Sequence, residues 1–179
     1  PMKNLSKILV LVLTLSLLLG VFAVFSSAAT TVAKIGDTPY ATLADAWAAA
    51  LASADNEVEI DLVADASTGG KNDQLINEKE NKKITIDLNG YTLTTGKTGS
   101  GDQDWNRGNQ APFILRAANT ALTVKNGSVV LAYYFITTGK DSGTITDYLA
   151  TVNLEDVYIT RAVGTGNLDV FFSYTNTVY

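Results

Sequence analysis

Three stretches of this chain repeat one pattern, a β-prone run, a polar turn and a second β-prone run. They are Ile84-Thr-Ile-Asp-Leu-Asn-Gly-Tyr-Thr-Leu93, Leu122-Thr-Val-Lys-Asn-Gly-Ser-Val129 and Val152-Asn-Leu-Glu-Asp-Val-Tyr-Ile159. Aligning Leu88, Val124 and Leu154 also aligns Leu93, Val129 and Ile159, at intervals of 36 (124 − 88) and 30 (154 − 124) residues. A phrase that recurs every 20 to 50 residues or so marks a stacked architecture, in which each unit buries its apolar side against its neighbours. Such a chain is expected to be mostly β.

The first residues must be set aside before the fold is read further. Lys3 and Lys7 precede an almost unbroken Leu, Val, Ile and Phe run from Ile8 to Phe25, and small residues follow at Ser26-Ser27-Ala28-Ala29. Residues 1–29 therefore read as a secretory signal peptide, with Met2 as the start. An uncleaved membrane anchor is the alternative, because the apolar run is long. Either way the membrane is met only through this segment, and the expected address is extracellular, at the cell surface. Cleavage removes two of 13 basic residues and leaves 11 − 18 = −7 as the mature charge. A surface of that sign repels nucleic acid, which is not an expected partner. The chain has no His and no Cys. That excludes disulfides, His-based triads, thiol nucleophiles and imidazole or thiolate zinc sites within these residues.

Residues 30–56 read as an N-terminal strand and a helix. Thr31 to Ile35 is β-prone and ends at the turn Gly36-Asp37. In the following helix Leu43, Ala46, Trp47, Ala50 and Leu51 share one face, and Thr42 with Asp45 suits its N-terminus. From 57 to 179 the chain reads as β coils. Val58, Ile60 and Leu62 alternate with Glu57, Glu59 and Asp61, the pattern of a half-buried strand. Asp65 to Lys83 reads as a loop. Thr94 to Ala111 is a long insertion, and loops of that length are usually functional or disordered.

The order Val32-Ala-Lys-Ile-Gly-Asp, Tyr40-Ala-Thr-Leu-Ala-Asp-Ala, Lys83-Ile-Thr-Ile-Asp-Leu-Asn-Gly-Tyr-Thr-Leu93 and Leu122-Thr-Val-Lys-Asn-Gly resembles a known group. It looks like the N-terminal part of secreted proteins of the pectate-lyase-like superfamily, as found in Gram-positive cell-surface proteins. The resemblance covers residues 32 to 163. It implies an all-β, right-handed parallel β-helix, a solenoid with an N-terminal amphipathic capping helix. It does not imply one activity, since that fold hosts lyases, hydrolases, adhesins and stalks. Members with enzymatic activity have more coils than are visible here. The apolar run from Phe171 to Tyr179 also lacks a polar cap, so truncation at the C-terminus is expected.

Asn89, Gly90, Asn126, Gly127 and Asp156 fall at the turns of the repeated phrase. They read as structural, because Asn, Asp and Gly tolerate left-handed backbone. The insertion supplies the candidate ligand-binding residues. Asp102 and Asp104 offer hard oxygens to Ca2+, Trp105 a face for a sugar ring, and Arg107 a fork for a carboxylate. Apart from Ca2+ there, no cofactor or metal set is indicated, and no residue is assigned as catalytic. A lyase site would draw on Arg116 or Arg161 with Glu155 and Asp156. Tyr133, Tyr134, Phe135, Phe171, Phe172 and Tyr174 read as packing aromatics or a glycan platform. The expected function is a cell-surface module acting as stalk or as adhesion and glycan-binding face. Its expected partner is an extracellular polysaccharide, or a host or cell-wall surface. The alternative is the N-terminal section of a polysaccharide lyase or glycoside hydrolase.

Overall fold

The computed structural model describes residues 30–68, 74–95, 111–131, 135–138, 150–161 and 171–173. The signal segment and the insertion residues Asp102, Asp104, Trp105 and Arg107 lie outside the described residues, as do Tyr133, Tyr134 and Tyr174.

Residues 31–179 form one unit. It begins with a hairpin, β1 (Ala33–Ile35) and β2 (Thr38–Tyr40), turned at Gly36 with φ of 55°. That left-handed φ is one glycine adopts without a Cβ penalty. Helix α1 (Leu43–Ala52) follows. Thr42 keeps extended backbone (φ −137°), and its hydroxyl accepts from the Asp45 amide at 3.0 Å and donates to the Asp45 carboxylate at 2.6 Å. One otherwise orphaned amide of the first turn is thereby satisfied. Leu43, Ala46, Trp47 and Ala50 are buried, as helical spacing requires for one face.

The strands then run β3 (Glu57–Leu62), β4 (Ala66–Thr68), β5 (Leu75–Asn77), β6 (Lys83–Asp87), β7 (Thr92–Thr95), β8 (Phe113–Leu115), β9 (Thr120–Leu131), β10 (Ile136–Thr138), β11 (Ala150–Arg161) and β12 (Phe171–Ser173). One sheet has the order β2-β1-β3-β6-β9-β7-β4, with β11 also on β9. A second sheet has the order β12-β10-β8-β5.

The expectation of a right-handed parallel β-helix with a helical cap is overturned. The unit is mostly β, with a curled mixed sheet forming a half-barrel and one short helix. The sheet is mixed because β1 runs antiparallel to both β2 and β3. The hairpin, rather than the helix, takes the sheet edge beside β3, and Pro39 sits on the outermost strand. Pro lacks the amide that a further strand would need, so it suits an edge. β9 and β11 are the longest strands among the described residues. Each runs 12 residues through a left-handed residue, Asn126 (φ 58°) in β9 and Asp156 (φ 52°) in β11.

The repeated phrase pairs strand to strand, although not in the register the sequence suggests. Leu93 faces Val129, which faces Ile159, as the alignment has it. On the other side of the turn, however, Ile86 rather than Leu88 faces Val124. Four residues (88–91) separate the paired Asp87 and Thr92, against two (126 and 127) between Lys125 and Ser128. The first turn is therefore two residues longer than the second.

Inward residues of these strands, among them Ile60, Ile84, Ile86, Leu122, Val124, Leu93 and Val129, are buried with the helix face in one core. Trp47 meets Phe113 with ring centroids 5.7 Å apart, and Phe113 meets Phe135 edge-on at 5.2 Å. The Trp47 indole donates to the Ile76 carbonyl at 3.2 Å, which satisfies its one polar atom. Lys82 is buried beside the end of α1. Its ammonium donates to the carbonyls of Ser53, at 2.9 Å, and of Asp55. A cation is favourable there because helix C-terminal carbonyls point outward and carry partial negative charge.

Candidate functional site

Strand alternation sends every second side chain of β3, β6, β9 and β11 to the outer face. In-register pairing then gathers them into rows. Glu57, Lys83, Ala121 and Thr151 make the first row, Glu59, Thr85, Thr123 and Asn153 the second, and Asp61, Asp87, Lys125 and Glu155 the third. Lys83 pairs with Glu57 at 2.8 Å, and Asn153 donates to the Thr123 hydroxyl at 3.1 Å.

The third row holds the densest chemistry among the described residues. Lys125 reaches across β6 to Glu59 at 2.9 Å and lies 3.3 Å from Asp87. Asp87 is the buried member, 8% exposed, and is held on every side. Its carboxylate accepts the Asn89 amide at 2.9 Å and the Asn126 side-chain amide at 3.2 and 3.0 Å. Burial pushes the Asp87 carboxyl up, but the Asn89 amide, Asn126 and Lys125 together outweigh it and hold the group below its ordinary value. Glu59 is the largest influence on Lys125 and raises it; partial desolvation opposes, and Asp87 adds to the rise. At neutral pH both Asp87 and Lys125 are charged.

Carboxylate oxygens of Glu59, Asp61 and Asp87 lie within 4.8 Å of one another, a group that could hold a metal ion. The donors are all hard oxygens, which suits Ca2+ or Mg2+ in kind. The Lys125 ammonium already bonds two of the three. An ion entering the group would compete with that ammonium.

Beside the row the sheet turns. Asn89 (φ 48°), Asn126 (φ 58°) and Asp156 (φ 52°) all have left-handed backbone, and Gly90 has φ of 84°. Asn89 donates its side-chain amide to the Leu62 carbonyl at 3.1 Å, and Asn126 donates to Asp87, so each tethers its turn to an earlier strand. Gly127 answers a different need. A Cβ there would lie 2.5 Å from the Leu88 Cβ and 2.7 Å from the Tyr91 carbonyl oxygen. Past the turn, Thr92, Ser128 and Tyr158 form the next outer row. Tyr158 is 70% exposed, and Tyr91 is 38% exposed.

Of the five turn residues read from sequence, Asn89 and Asn126 bond Asp87 directly, Gly90 and Gly127 adjoin them in the chain, and Asp156 lies one strand further out on β11. Arg116 lies 3.6 Å from Glu78 at the end of β8. Arg161, Glu155 and Asp156 share β11 in the first sheet, whereas Arg116 follows β8 in the second. Phe135 is a core residue against Phe113. Glu59, Asp61, Asp87 and Lys125 were not singled out from the sequence. A spacing of 38 instead of 36 between β6 and β9 places Asp87 beside Lys125 instead of Thr123, and the turn length that sets it leaves no local mark in the sequence.

No family model, curated protein or solved structure matches the chain. The likeness to pectate-lyase-like proteins therefore rests on the quoted residues alone.

Proposed function

We propose that the chain is a secreted cell-surface module that binds extracellular polysaccharide on the outer face of β9 and β11. The observation that carries this reading is Tyr158, 70% exposed on a 12-residue strand. It stands beside Ser128, and the hydroxyl and amide of Thr123 and Asn153 lie across the turn. An exposed tyrosine offers a flat apolar face with a polar tip, and sugar rings present the complementary mixture of C–H faces and hydroxyls. The signal-like segment at residues 1–29 supports the extracellular address.

If an ion assists, the Glu59, Asp61 and Asp87 oxygens favour Ca2+, with Lys125 displaced. The lyase or hydrolase alternative draws less support. Glycosidase chemistry needs one carboxyl that keeps its proton near neutral pH, and the environment of Asp87 drives it the other way. Isothermal titration against neutral, amino and uronic-acid polysaccharides tests the proposal. Binding to at least one polymer supports it, and turnover of a polymer with release of reducing ends would replace it by the enzyme reading.

A further inference from the structure

No further inference is drawn: the strongest candidate, the outer edge of β11, where the core-directed Leu154, Val157 and Ile159 are only partly buried, carries nothing because no feature of the described residues shows what covers it.

Discussion

Asn126 donates its side-chain amide to both carboxylate oxygens of Asp87, at 3.2 and 3.0 Å, and ties β9 to β6 at the point where the sheet turns. Asn126 is also left-handed, with φ of 58°. Its side chain and its backbone are therefore used at once, which makes the substitution Asn126→Asp informative. Aspartate tolerates the same φ, so the backbone is spared. The donor is lost, however, and a second carboxylate is set against Asp87. We expect Asn126→Asp to destabilise by about 1–3 kcal/mol, the cost of taking one donor from a buried carboxylate and setting a like charge against it. Urea denaturation at neutral pH measures it, and a change under about 0.5 kcal/mol, the usual range for surface changes, would show that the contact is idle.

Asp156 occupies the matching place on β11, with φ of 52°, but as a carboxylate it has no amide to donate. It also adjoins Glu155. Asp156→Asn removes that like charge and supplies the missing donor. The expected result is unchanged or slightly raised stability, up to about 1 kcal/mol, measured in the same way. A clear loss would mean that the Asp156 carboxylate has a partner role of its own.

Acid should loosen this corner. The folded-state carboxyl of Asp87 lies below its ordinary value of 3.8, so its contribution is full above that value. It is lost as pH falls through the depressed folded value, because the unfolded state then binds the proton more tightly. Lys125 has the opposite sign. Its folded-state value lies above 10.5, so its contribution is present below that pH and fades as pH rises through the raised value. Denaturation midpoints collected from pH 2 to 7 should show a shallower acid limb for Asp87→Asn than for the native chain. Parallel limbs would assign acid sensitivity to other carboxylates.

The two glycines of the turns should respond differently to alanine. Gly127→Ala meets backbone and Cβ atoms at 2.7 and 2.5 Å, which flexible side-chain ends cannot relieve. Overpacking of that kind costs about 1–3 kcal/mol. Gly90→Ala has open space, and its cost is the left-handed φ of 84°, about 1–2 kcal/mol. Gly90→Asn should recover much of that cost, since Asn visits the left-handed region. The same rescue at Gly127 should fail, and thermal melts of the four variants decide it.

Lys125 guards the acidic group it neutralises. Lys125→Met keeps much of the apolar stem and removes the ammonium, leaving Glu59 and Asp87 without the cation they share beside Asp61. We expect Ca2+ to bind this variant at least tenfold more tightly than the native chain, about 1.4 kcal/mol, by isothermal titration. Equal affinities would show that the three carboxylates do not act together on an ion.

Local signals in the sequence were legible and distant ones were not. Thr42, Asp45 and the Leu43, Ala46, Trp47, Ala50 stripe define α1 within one stretch of chain, and the structure places a helix there. The alternation of Glu57 to Leu62 defines β3 in the same way. β4 and β5 were hidden in a polar stretch read as loop, because three-residue strands are too short to show a period. β2 was missed for the same reason, and with it the antiparallel hairpin that makes the sheet mixed. The Asp87 cluster depended on pairing register. A turn two residues longer between β6 and β7 shifts Asp87 from Thr123 to Lys125, and no local pattern records that length. Period-two strands make such shifts consequential, since cross-strand partners change while the inner and outer faces stay the same.

Polysaccharide binding on the outer face around Tyr158 is the proposal to test first, by comparing the native chain with Tyr158→Ala. Tyr158 is too exposed for its loss to unfold the protein, so both should melt at the same temperature. With the tightest-binding polymer of the panel, we expect at least a tenfold loss of affinity in Tyr158→Ala, about 1.4 kcal/mol. Equal binding by the two proteins, or no binding of any polymer by the native chain, would contradict it.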